Sequence, residues 1–208
     1  MNKIKEFINK HMDFKVYPVT IPAIIVALAV VPCIKFLPEQ YGFENGLLEN
    51  IQMLTLFIAF VLSVISKTRK KFFYFVALVI VLISLREVNY GRTLFFPIPG
   101  EVNAFYSWKE IKYGWLVNPL VGLYMAGSVM YFLWNKVFID LWQIIKNIKF
   151  PVWNVLLTLA GMILGMYAEK ASENFVFEEI TELLFYVSLT GIIWLYSANK
   201  NFVSERKD

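Results

Sequence analysis

A glutamate is costly to place inside a membrane span, and this chain places one, Glu87, beside Arg86 near the end of an apolar run over 72–90. Ionisable residues in that setting pair with one another, face an aqueous cavity or carry a function. Three more glutamates fall at a matching height. Counted along helices that rise about 1.5 Å per residue, Glu49, Glu87, Glu169 and Glu182 each lie roughly 21–26 Å from the far ends of their runs, near one edge of a hydrocarbon core about 30 Å thick. Glu178 and Glu182 are four residues apart and Glu179 and Glu182 three apart, so each pair shares a helical face. Carboxylates stacked in this way repel unless a cation, a proton or an arginine lies between them. Together with Asn45, Asn50, Asn89, Asn118 and Asn174 they form an oxygen-rich set, suited to a divalent cation such as Mg²⁺, Ca²⁺ or Mn²⁺ rather than to zinc. Glu49, Glu87, Glu169 and Glu182 are the candidate metal ligands. Arg86, Asn89, Arg92, Asn118, Glu178 and Glu179 complete the candidate binding set. Glu87 and Glu182 are also the candidates for acid–base catalysis, because carboxyls in unlike environments can divide those roles.

A plainer reading accompanies each acid. Glu49, Glu178, Glu179 and Glu182 start helices, where an acid complements the helix dipole and satisfies free amides. Glu44 and Glu173 read as loop charges. Glu87 and Glu169 sit at helix C-termini, where the dipole disfavours an anion, so capping does not explain them. For Glu87 the alternative is an ion pair with Arg86 or Arg92 that only fixes packing.

The elements that must position these residues follow from composition. Of the 208 residues, 58% are hydrophobic and 17% charged, against roughly 25% charged in soluble domains. Six apolar runs approach span length, over 19–37, 50–66, 72–90, 115–134, 152–168 and 179–196. Backbone in lipid must satisfy its own hydrogen bonds, so the expected fold is all-α: a polytopic bundle of six transmembrane helices in a single membrane domain over 1–208. Residues 91–114 are rich in aromatics and broken by Pro97 and Pro99, as expected of a segment lying at the membrane interface, either as a lid or as an anchor. Pro119, following Asn118, is expected to kink or open the fourth span.

Sidedness comes from the charges. Fourteen of the 20 basic residues fall in the N-terminal segment, the second–third and fourth–fifth connections and the C-terminal tail, with only five acids: Glu6, Asp13, Asp140, Glu205 and Asp208. The positive-inside rule makes that side cytoplasmic, with both termini inside (N-in/C-in) and the glutamates outside. The net charge of +4 is then a topology signal, and no nucleic-acid partner is expected. The lipid bilayer is the expected partner. One cysteine and one histidine leave no intrachain disulfide, and no His-rich metal site or Ser-His-Asp triad is expected. Gly161 and Gly165 allow close helix approach, either inside the bundle or at a homodimer face.

Three stretches carry a resemblance: Glu44-Asn45-Gly46-Leu47-Leu48-Glu49-Asn50, Leu85-Arg86-Glu87-Val88-Asn89-Tyr90-Gly91-Arg92 and Glu178-Glu179-Ile180-Thr181-Glu182-Leu183-Leu184. The chain resembles a group of uncharacterised bacterial six-span membrane proteins with glutamate signatures on the outer side. Asn45 and Asn89 stand here where that pattern has acids. The resemblance implies the bacterial cytoplasmic (inner) membrane and supports the site and the topology. Function divides three ways: an outward-facing pocket that binds a cation or small cationic solute and could transport it; an enzyme acting on lipid at the outer interface through paired glutamates; or a non-catalytic assembly or sensor subunit. The inner halves of the spans are poor in polar residues, which weighs against a continuous path. A cavity open sideways to lipid would favour the enzyme.

Overall fold

The computed structural model describes residues 10–199 together with Phe202 and Val203. Lys3, Lys5, Glu6, Lys200, Glu205, Arg206, Lys207 and Asp208, which enter the charge count above, lie outside the described residues. The chain is predominantly helical: α1 (Ile21–Phe36), α2 (Leu47–Ile65), α3 (Lys70–Glu87), α4 (Arg92–Phe95), α5 (Val117–Trp134), α6 (Val137–Asn147), α7 (Val152–Ala171) and α8 (Phe175–Ser197). Among the described residues, five helical segments are long and apolar enough to cross a membrane, or six if the bent pair formed by α3 and the 89–95 segment is one span. Large apolar side chains face outward along them, among them Leu28, Val31, Phe57, Leu123 and Ile163. On a water-soluble surface such a patch would aggregate, whereas on a membrane protein it is the lipid-facing surface.

Helix α8 is the hub. Asn174 caps it by accepting a hydrogen bond from the Phe177 amide at 2.9 Å. It packs against α7, α2 and α1, and its buried residues recur on all sides of the helix. The contact with α7 is backbone-close because α7 presents glycines. A Cβ on Gly161 would lie 2.5 Å from the Phe185 nitrogen, and one on Gly165 3.3 Å from Glu182 Cγ. The Gly161/Gly165 pair is therefore used for packing within the chain. Helix α3 lies on α2, and α5 lies on α3 with none of its own residues buried. The main core joins Leu56, Phe73, Ile80, Tyr186 and Leu195.

The end of the bundle opposite the glutamates holds two elements that periodicity does not predict. Helix α6 is short and amphipathic, burying Val137 and Ile144. A two-residue parallel pairing joins β1 (Met12–Asp13) to β2 (Phe150–Pro151). Trp153 Nε1 donates to the Phe14 carbonyl at 2.9 Å, fastening the same junction.

Polar groups buried in the apolar layers are mostly tied to their own helices. Ser63, Ser188 and Thr190 hydroxyls donate to the carbonyls four residues back at 2.7–2.8 Å. Others bond across helices: Thr20 Oγ1 donates to Asn154 Oδ1 at 2.6 Å, with both residues at most 1% exposed. Thr20→Val would leave Asn154 Oδ1 buried without a donor. We expect it to cost about 1–3 kcal/mol, read as a lower thermal midpoint in detergent micelles. An unchanged midpoint would mean that Asn154 finds another donor.

Pro119 does not kink its span. It lies at the third residue of α5, within the first turn, where a helical amide has no intrahelical partner to lose. The real break is after α3. Asn89, Tyr90 and Gly91 all have positive φ, at 45°, 56° and 90°, and the chain turns by 59° into α4.

Candidate functional site

The span ends differ from the hydropathy reading at the glutamates. Helix α2 starts at Leu47, not 50, so Glu49 lies in its first turn; Gly46 precedes it, where a Cβ would meet the Phe43 carbonyl oxygen at 2.5 Å. Helix α7 runs to Ala171, which places Glu169 in its last turn. Helix α8 starts at Phe175, which places Glu178, Glu179 and Glu182 on its first two turns. Helix α3 ends at Glu87 rather than at 90.

These four helices bring their acids together. A cavity of about 270 Å³ is lined by Glu49 from α2, Arg86 and Glu87 from α3, Glu169 from α7, and Glu178, Glu179 and Glu182 from α8. Glu44, Asn89 and Tyr90 complete the wall. Seven carboxylates thus face one guanidinium. They repel one another unless a cation or protons lie among them.

The contacts divide the acids into two groups. On one side is a network around Arg86. Glu87 is nearly buried, with a side chain 6% exposed. Its Oε1 accepts from the Tyr186 hydroxyl at 2.6 Å and lies 3.7 Å from Arg86 Nη1. Arg86 Nη2 reaches Glu182 Oε1 at 3.4 Å. Arg86 itself is more than half exposed, so it spans the cavity rather than sealing it. On the other side is Glu49, only 4% exposed. Its Oε2 accepts from the Asn45 amide, as a helix-capping acid does, but its Oε1 is buried without a hydrogen-bond partner among the described residues. Glu179 lies between the two groups and accepts from Gln52 Nε2 at 2.7 Å through its Oε2.

Most of the expected binding residues line this cavity, and two do not. Asn118 is exposed near the start of α5, which packs on α3 and α6 away from α8. Arg92 starts α4 beyond the turn; with the Asn89 amide oxygen turned toward it, Arg92 Nη2 donates at 2.6 Å, so it braces the turn rather than neutralising Glu87. Among the described residues, none from 92–114 lines the cavity. That segment is pinned beside it: Asn45 Nδ2 donates to the Thr93 carbonyl at 2.7 Å, and the Glu44 amide to Asn103 Oδ1 at 3.0 Å. Among the described residues, no three acidic, histidine or cysteine side chains form a group that could hold a metal ion; Glu49, Glu87, Glu169 and Glu182 share the cavity without closing on one point.

Four residues at the site were not selected from sequence. Glu44 read as a loop charge. Tyr90 belongs to the positive-φ turn. Tyr186, 1% exposed, reads as core, yet it lies four residues after Glu182 on the face of α8 that carries the acids. Gln52 lies three residues after Glu49 and is fully buried.

A second, mostly apolar cavity of about 310 Å³ adjoins the first. It lies between α3 and α7 over α8 and shares Arg86, Glu169 and Glu182 with the acidic cavity. The chain matches no protein-family model, no curated protein and no solved structure, so the reading of this site rests on its geometry.

Proposed function

We propose that this chain is a six-span protein of the bacterial cytoplasmic membrane, with both termini cytoplasmic and the carboxylate cavity facing outward, and that the cavity captures a small organic cation. The observation that carries this reading is Glu49: a carboxylate oxygen buried at the wall of a cavity with six other glutamates and lacking a donor of its own. Burying such an oxygen is costly unless a donor or a cation completes it. The cavity's volume and its spread of carboxylates suit a diffuse organic cation better than a bare divalent ion held at about 2–2.6 Å by several oxygens at once.

Capture is better supported than passage. Deeper in the bundle Ser63, Ser188 and Thr190 turn their hydroxyls back onto their own helices. Leu56, Phe73 and Ile80 fill the space around them. Enzyme action on lipid is the second reading, favoured by the apolar cavity that reaches Glu182 from the side, with Glu87 and Glu182 as the acid–base pair.

The test is titration calorimetry with tetramethylammonium on the protein in dodecyl maltoside micelles. Glu49→Gln should weaken binding roughly ten- to hundredfold, as expected for loss of one charged contact worth about 1.5–3 kcal/mol. Glu173→Gln, which alters an exposed acid outside the cavity, should change it less than twofold. Equal affinities in wild type and Glu49→Gln would remove the proposal.

A further inference from the structure

We infer that the cation captured at the carboxylate cavity is the head of an amphiphile, an ammonium group carrying a single alkyl chain, and that it enters sideways from the bilayer. This rests on the cation reading above and adds the class of solute.

The adjoining apolar cavity meets the acidic one at Arg86, Glu169 and Glu182. Its floor is α8, at Phe185 and Tyr186; its walls are Ile83 of α3 and Met162 and Met166 of α7. Gly161 and Gly165, where α7 crosses close against α8, form its back edge. Met162 and Met166 are 42% and 52% exposed, so this cavity opens on the flank of the bundle among outward-facing apolar side chains rather than at its tip. Methionine suits such a surface because its unbranched, polarizable side chain adapts to chains of varying shape.

Where the cavity meets the acidic one, the lining changes character at once. Arg86, Glu169 and Glu182 belong to both. A free cation needs only the acidic cavity. A neutral or anionic lipid would set its head against seven carboxylates and one arginine, a poor match in charge. An alkylammonium fits both halves: the ammonium lies among the carboxylates and the chain runs between Ile83 and Met166 into lipid. Glu49, whose Oε1 is buried without a partner among the described residues, lines the acidic cavity across from the Arg86 network.

The test uses dodecyltrimethylammonium with a diazirine in mid-chain, photolysed with the protein in dodecyl maltoside micelles, and tetramethylammonium as the same head without a chain. Label is expected on the peptides holding Ile83, Met162, Met166 and Phe185, and tetramethylammonium in excess should displace it. Met166→Trp fills the side cavity from an exposed position and should lower labelling at least tenfold, while tetramethylammonium affinity measured by calorimetry stays within twofold. Met162→Trp serves as a second variant should Met166→Trp fold poorly. Label spread evenly over all outward-facing helices, or labelling indifferent to both tryptophans, would overturn the amphiphile while leaving small-cation capture standing. If Glu182→Gln leaves both the labelling and the tetramethylammonium affinity unchanged, the cation reading itself falls, and the amphiphile with it.

Discussion

Glu87→Gln should weaken binding of a small cation roughly ten- to hundredfold, and Arg86→Ala should strengthen it by about tenfold. The opposite signs are what make the pair informative. Glu87 is almost buried and holds both the Tyr186 hydroxyl and one side of Arg86. Glutamine keeps an acceptor for Tyr186, so the fold should lose only about 1 kcal/mol, while the negative charge that attracts a ligand is gone. Arg86 is the cavity's resident cation and occupies Glu182 and Glu87 together. Removing it frees both carboxylates for an outside cation. Calorimetry with tetramethylammonium reads both variants, with circular dichroism melts to check folding. If Arg86→Ala weakened binding, Arg86 would be contacting an anionic ligand and the cation reading would be wrong. Glu87→Leu is the useful extreme. It leaves the Tyr186 hydroxyl buried without an acceptor, and we expect a further loss of about 1–3 kcal/mol in stability.

Gly161→Val should have the largest effect on the fold. A Cβ there meets the Phe185 nitrogen at 2.5 Å, the Phe185 Cα at 2.8 Å and the Thr181 carbonyl oxygen at 3.0 Å. All three are backbone atoms, so no side chain can turn away; α7 and α8 must separate. Overpacking of this kind costs typically 1–3 kcal/mol, and a rigid backbone contact belongs at the upper end. The expected readout is a thermal midpoint in micelles well below that of wild type. Cation binding should fall with it, because Glu169 on α7 and Glu182 on α8 flank the crossing. Gly122→Val on α5 is the control: nothing lies within 4 Å of a Cβ there, and its midpoint should hold. If Gly161→Val melts like wild type, the α7–α8 contact is not as close as described.

Much of the architecture was legible because long apolar runs admit little besides helices. The errors are local and share a cause. Spans were expected to begin at 50 and 179 and to stop at 168, always just short of a glutamate, because hydropathy penalises each acid. The helices continue through Glu49, Glu169 and Glu178 because acids of neighbouring helices and Arg86 line a common polar cavity there. Depth counting found that four helices carry acids at one level, but it could not tell which way each faces. Asn118 has the right height and lies on the outlying α5. Arg92 has the right charge and lies beyond a turn whose positive φ angles no spacing rule foretells. Pro119 was expected to kink a span starting at 115; the α-helix starts at Val117, and a proline in its first turn costs no intrahelical hydrogen bond. Tyr186 and Gln52 were missed because aromatic and amide side chains in a span read as packing. Their separations from Glu182 and Glu49 held the signal. Helix α6 is too short and too amphipathic to register as a span, and two-residue strands leave no period at all.

The place of α8 as hub bears on the order of events during synthesis. The ribosome delivers α1, α2 and α7 before α8, yet α8 is the element on which each of them packs. Until it emerges, the earlier spans can pair as α2 does with α3, but they have no common axis, and the glutamates of α2, α3 and α7 have no site to complete. Closure of the carboxylate cavity therefore waits on this helix. A chain stopped before Phe175 would hold Glu49, Glu87 and Glu169 on three helices with no partner helix to gather them.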